Sequence, residues 1–154
     1  MAVNEVNFRG TMLTVAAPIA ANSGVGPISG DPLIIGTGTS PTFGIACIAE
    51  TSYTPATGTA TGNIAIKTEG VFQLSVLPQT APNGGSNHAI APGDRIYAGN
   101  DGTYDATTGI YYGFTLCGAG GVAAASGIHF GNSLDTLAGG STPAKIRVRL
   151  KNGG

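Results

Sequence analysis

The sequence has no tryptophan, only two cysteines and few charges: Asp, Glu, Lys and Arg make up 10% of 154 residues, with a net charge of −1. An average soluble domain is roughly 25% charged. Without a basic excess the chain lacks an electrostatic footprint for nucleic acid or an anionic membrane surface, so neither is an expected partner. Aromatic residues are 6%, which disfavours stacking platforms for sugars or single-stranded nucleic acid. No run approaches the roughly 20 apolar residues of a membrane-spanning helix. The opening MAVNEVNFRG carries Glu5 and Arg9 and lacks the apolar centre of a signal peptide. Cys47 and Cys117 do not make a disulfide framework. Both sit inside apolar runs and read as small buried residues; a bridge would require their Cα atoms to lie within about 7 Å.

What the chain has is glycine and proline, 26 and 9 residues, spaced so closely that no helical periodicity is sustained. Between them lie short strand-like runs: TMLTVAA (11–17), DPLIIG (31–36), FGIACIAE (43–50), NIAIKTEG (63–70), VFQLSVL (71–77), DRIYAG (94–99), IYYGFTLC (110–117) and KIRVRL (145–150). In the last, Ile146, Val148 and Leu150 alternate with Lys145, Arg147 and Arg149, the pattern of a strand with one face buried. Asn100-Asp101-Gly102 predicts a hairpin after DRIYAG. The one candidate for a helix is 121–139, which contains Ala123 to Ala125 and a later SLDTLAG with Ser133 as a cap for a short turn, while Gly127 and Gly131 argue against one continuous helix. The large apolar side chains are few. The core is therefore thin, and stability shared with partner subunits is expected.

One phrase occurs twice. PISGDPLIIG (27–36) and IAPGDRIYAG (90–99) align Gly30-Asp31 with Gly93-Asp94. Each copy is followed by a second apolar run, GIACIA from Gly44 and GFTLCG from Gly113, which place Cys47 and Cys117 at matching positions. Glycine permits a positive φ and aspartate bonds nearby backbone N–H groups, so each "GD" reads as a tight turn delivering a strand. Two such units, 27–50 and 90–120, suggest a small barrel with pseudo-twofold character. The fold class expected is mostly β: a small compact barrel, tulip- or clip-like, with long Gly/Pro-rich loops and at most one short helix.

Reactive constellations are absent from the sequence. There is no P-loop, HExxH or GxSxG motif. GAGGVA (118–123) matches a dinucleotide-binding pattern only locally, since an all-β context lacks the βαβ unit that motif needs. His88 and His129 have no Cys or carboxylate at ligand or triad spacing, and Asp31 and Asp94 have no second carboxylate near them. No catalytic residue, cofactor or metal is expected.

The ordered series LTV (13–15), SGDPLIIG (29–36), GIACIAE (44–50), IAIKTEGVFQL (64–74), IAPGDRIYAG (90–99), GFTLCGAG (113–120) and KIRVRL (145–150) resembles the capsid cement, or head decoration, proteins of tailed bacteriophages. The order of the motifs and the TEGVF hairpin element carry the resemblance, which spans nearly the whole chain. Segments 52–63, 78–89 and 121–143 depart from it as inserts. The resemblance implies a non-enzymatic structural protein of the virion, made in the host bacterial cytoplasm and placed on the outer capsid surface. It implies a homotrimer that binds the major capsid protein and clamps neighbouring subunits of the expanded head. The alternative is another non-enzymatic virion component, such as a head-fibre or tail-tube subunit.

Residues 1–10 read as a flexible N-terminal arm, distinct from a single β domain over 11–154. Val3, Val6 and Phe8 are spaced among Asn4, Glu5 and Asn7. They are the expected contacts to the capsid or a neighbouring subunit, by addition of a strand to an exposed sheet edge.

Overall fold

Strict alternation of apolar and polar residues in VFQLSVL and AKIRVRL produces two seven-residue strands, Val71–Leu77 and Ala144–Leu150, paired antiparallel over six residues from Val76↔Ala144 to Val71↔Arg149. Phe72, Leu74, Val76, Ile146, Val148 and Leu150 are buried, while Gln73, Ser75, Lys145, Arg147 and Arg149 face out. A computed structural model describes residues 5–7, 12–17, 27–36, 44–50, 62–118 and 128–150. In these, twelve strands follow in chain order: β1 (Glu5–Asn7), β2 (Met12–Ala17), β3 (Pro32–Ile35), β4 (Ile45–Ala49), β5 (Gly62–Lys67), β6 (Val71–Leu77), β7 (Arg95–Ala98), β8 (Thr103–Asp105), β9 (Ile110–Tyr112), β10 (Leu116–Gly118), β11 (His129–Ser133) and β12 (Ala144–Leu150).

The strands form two sheets. One is ordered β1-β6-β10-β7-β11-β12, and because β12 also pairs with β6 it closes into a five-stranded barrel with β1 alongside β6. The β6–β10 pair is parallel and the others antiparallel. The second sheet is ordered β2-β5-β4-β3-β9-β8. The expected class, a small and mostly β barrel, is the observed one.

Side-chain parity divides the core. Ile34, Ala46, Ile48 and Tyr111 of the second sheet pack with the barrel interior, including Phe72, Ile96, Phe130 and Val148. From the opposite face of the same sheet, Leu33, Cys47, Ala49, Ile64, Ile66 and Ile110 form a second cluster. The central strands β3 and β4 are thus buried on both faces. That is why they read as continuous apolar runs where β6 and β12 alternate.

Several local expectations need correction. Asn100-Asp101-Gly102 does not close a hairpin: β7 belongs to the barrel and β8 to the second sheet. Asp101 turns away from the local loop and accepts from Thr115 N–H and Thr115 Oγ1 at 2.9 and 2.5 Å. IYYGFTLC is two strands in different sheets, broken where Gly113 takes φ +70°. The TEGVF element is likewise a passage from β5 in the second sheet to β6 in the barrel, with Gly70 at φ +131°. Among the described residues there is no helix. Ser133 ends β11 instead of capping one, its hydroxyl donating to Asp135 O at 2.7 Å while Leu134 N–H joins β12 through Arg147 O. Residues 121–127 of the 121–139 segment lie outside the described residues.

The repeat is real as turns and not as a twofold barrel. Gly30 and Gly93 have φ +96° and +95°. Only the second unit feeds the barrel; the first builds the other sheet. By their register, Cys47 of β4 lies opposite Leu33 of β3 in the second sheet, whereas Cys117 of β10 lies opposite Tyr97 of β7 in the barrel. The two cysteines therefore hold different structural positions despite their matching sequence positions.

Candidate functional site

All five aspartates accept hydrogen bonds, and three of them, Asp31, Asp94 and Asp105, do so within their own turns. Asp31 accepts from Ile28 N–H at 2.9 Å and Asp94 from Ala91 N–H at 2.8 Å. Asp105 accepts from Thr107 N–H and Thr108 Oγ1, and Asp101 from Thr115 as above. Asp135 accepts from Arg147 N–H at 2.7 Å and from the same residue's guanidinium at 2.5 to 3.2 Å. Burial pushes the Asp31 carboxyl above its ordinary range, against the opposing pull of the Ile28 N–H. The Arg147 bonds hold Asp135 below its ordinary range.

Both thiols are free and buried. Burial pushes the Cys47 thiol far up, and burial with the Asp101 charge brings Cys117 up to about 11, which leaves little thiolate at neutral pH. Cys47 Sγ donates to Leu33 O at 3.5 Å. His129 stacks near Tyr97 at 5.7 Å between ring centroids, and its Nε2 lies 2.9 Å from Gly131 O. His88 is held through its backbone, the N–H donating to Pro78 O. Among the described residues no group of three or more His, Cys, Asp or Glu side chains is placed to hold a metal ion. Glu69, exposed, stands in the turn before β6.

Among the described residues one charged pair is buried: Lys67 Nζ and Glu50 Oε2 are 3.1 Å apart, their side chains 5% and 6% exposed. It joins the end of β5 to the end of β4, where Ser29 Oγ of the first GD turn also donates to Glu50 O. Nothing in the sequence marked this pair, because Lys67 and Glu50 become neighbours only through the Ile48↔Lys67 register.

A cleft of about 400 Å³ opens between that turn and the barrel wall. Ser29, Gly30 and Asp31 form one side; Gln73, Ser75, Thr115 and Lys145 form the other.

Of the residues expected to make contacts, Val6 lies on β1, which pairs antiparallel with β6 of the same chain through Glu5↔Phe72 and Asn7↔Val71. Val3 and Phe8 lie outside the described residues.

Compared with protein-family models, curated proteins and solved structures, the chain has no significant match in any of the three.

Proposed function

We propose that this chain is a structural protein of a tailed-phage virion: a homotrimer that binds the outer surface of the expanded capsid and stabilises it by clamping neighbouring major capsid subunits. The observation that carries the reading is the use made of the polar groups. Three of the five aspartates close tight turns, Asp101 and Asp135 tie one segment to another, and the thiols are buried with raised pKa values. The aspartates are committed to fixing loops on a barrel and the thiols are enclosed, so neither set is free for acid–base or nucleophilic chemistry. Such a molecule is suited to presenting a rigid surface. The ordered motif series supplies the particular role.

The test is co-sedimentation of the purified chain with expanded, undecorated phage heads, together with its mass by light scattering. Saturable binding by a trimer, and heads made more resistant to heat or chelation, is the expected result. Binding to tail tubes or head fibres with none to heads would instead assign it to another part of the virion. A monomer with no affinity for any virion part would overturn the proposal.

A further inference from the structure

Four of the seven Lys and Arg residues, Arg95, Lys145, Arg147 and Arg149, leave the barrel on its outer side. The register gathers them. Asn132 of β11 lies opposite Arg149 of β12 on one side and opposite Arg95 of β7 on the other. Residues paired across strands share a face, as do residues two apart along a strand. Arg95, Asn132 and Arg149 therefore make a row across three strands, and Arg147 and Lys145 continue it along β12 to the mouth of the cleft, which Lys145 lines. Tyr97 and His129, half-buried and in ring contact, flank the row on the same face.

Among the described residues acidic groups do not balance it. Asp135 engages Arg147 alone. Asp94, beside Arg95, turns its carboxylate back to Ala91 N–H. Glu69 stands in the turn beyond the Arg149 end of β6. Among the described residues Arg95, Arg149 and Lys145 have no ion pair.

Two ordinary explanations fit poorly. A charged edge strand deters aggregation, but β12 lies between β6 and β11 in a closed wall and has no edge to guard. A merely solvated face usually mixes both signs. Here the chain's net charge is −1 while one face holds most of its cations. Like charges that close on one sheet face disfavour folding slightly, so their gathering calls for a compensating gain. Arginine beside a partly exposed tyrosine is the composition of a protein–protein contact, and the guanidinium fork matches carboxylates.

We infer that the row formed by Arg95, Arg149 and Lys145, with Tyr97 at its flank, docks an acidic protein surface; on the function proposed above, that surface belongs to the capsid shell. The role of the row is independent of that reading, and only the partner's identity rests on it.

The experiment compares the intact chain with the double variant Arg95→Gln/Arg149→Gln and with a control of equal charge change on exposed positions elsewhere, Ser86→Glu/Thr103→Glu. Two probes are used at low and high salt: expanded undecorated heads, and poly-glutamate with a single-stranded DNA oligonucleotide of similar charge beside it. The arginine variant, with unchanged thermal unfolding, should lose about tenfold in apparent affinity for heads at low salt, and the control should not. Backbone amide shifts on adding poly-glutamate should centre on residues 95, 132 and 149. Heads bound equally by all three proteins would overturn the inference while leaving the virion role standing. No binding to heads, with poly-glutamate still reading out on this row, would remove the virion role and keep the docking face. Equal or stronger binding of the oligonucleotide, or no response to poly-glutamate, would overturn the inference.

Discussion

Asp31 and Asp94 hold the same turn in two different sheets. In each, the aspartate carboxylate accepts from the N–H three residues back, and its own N–H donates to the carbonyl of that residue, Ile28 O at 3.0 Å and Ala91 O at 3.1 Å. The preceding glycine donates to a neighbouring strand, Gly30 to Ala49 O and Gly93 to Ser133 O, both at 2.8 Å, and that strand's N–H returns a bond to Asp31 O or Asp94 O. A residue suited to the second position of the turn, Ser29 or Pro92, followed by glycine at φ near +95°, is the chemistry of a type II turn. The turn does not decide its sheet. That is decided by the strand that receives it.

The first prediction tests this turn at Gly93. An added Cβ there would meet no atom within 4 Å, so only the backbone conformation resists it. Gly93→Ala should cost about 1–2 kcal/mol, lowering Tm by about 2–4 °C per kcal/mol for a chain of this size. Thermal unfolding measures it, and an unchanged Tm would mean the positive φ is not required.

The second prediction concerns acid. Asp135 has its carboxyl lowered below 3.8 by Arg147, so the stability it contributes is present above 3.8 and is lost as pH falls through the still lower folded value. Asp31 has its carboxyl raised above 3.8 by burial, so its charge opposes folding at neutral pH, and that opposition fades as pH falls through the raised value. Asp135→Asn should therefore be less stable than the parent at neutral pH, with the gap closing in strong acid. Asp31→Asn should lose little at neutral pH and lose its relative advantage on acidification. Tm measured against pH for the two variants should show trends of opposite sign; parallel trends would contradict the assignment.

The third prediction concerns the buried pair. Breaking a buried ion pair by removing one member costs up to about 3–5 kcal/mol. Lys67→Met alone should fall in this range by denaturant unfolding. Lys67→Met with Glu50→Leu should recover much of the loss, because both buried positions are then apolar. Equal destabilisation by the single and double variants would show that the pair's attraction, not its burial, dominates.

The fourth prediction is chemical. With Cys47 fully enclosed and Cys117 1% exposed, a disulfide-exchange reagent at neutral pH should label neither thiol in the folded chain and both after unfolding. Rapid labelling of either one in the native protein would contradict the packing.

These outcomes also show what the sequence could carry. β6 and β12 were legible to within a residue because their period of two is set by one buried face, and a face is a local property. The turn chemistry of Gly30-Asp31 and Gly93-Asp94 was legible for the same reason. The destinations of the chain after Thr68-Glu69-Gly70, Asn100-Asp101-Gly102 and Gly113 were not. The first two look like hairpins locally and Gly113 looks like the interior of one strand, yet each sends the chain into the other sheet because of partners far along the sequence. The basic face of β12 could be read from KIRVRL. That Arg95 joins it could not, since Asn132 brings the two together through register alone. The equivalence of Cys47 and Cys117 failed for that reason too: alignment gives the order along a chain, and pairing gives the neighbour.

The last prediction addresses one of these crossings. Tyr111 belongs to the second sheet, yet its ring stacks on Phe114 at 5.0 Å, and Phe114 meets Phe130 of the barrel edge-on at 5.9 Å. Its hydroxyl donates to Gly99 O and accepts from Gly102 N–H, both at 2.8 Å, so one oxygen spans the turn that carries the chain from β7 to β8. Tyr111→Phe keeps the ring and removes both bonds, leaving a buried carbonyl and an N–H short of a partner. The expected loss is about 1–3 kcal/mol by denaturant unfolding, with faster hydrogen exchange at the Gly102 amide as the local sign. A second readout comes from alkali. Burial raises the Tyr111 hydroxyl above its usual 10.0, so the unfolded chain ionises first and the folded state loses stability as pH rises past that value. The phenylalanine variant should lose less over the same range. If it tracked the parent at high pH and lost nothing at neutral pH, the hydroxyl would not be what ties the two sheets together at this turn, and the aromatic stack alone would have to hold the crossing.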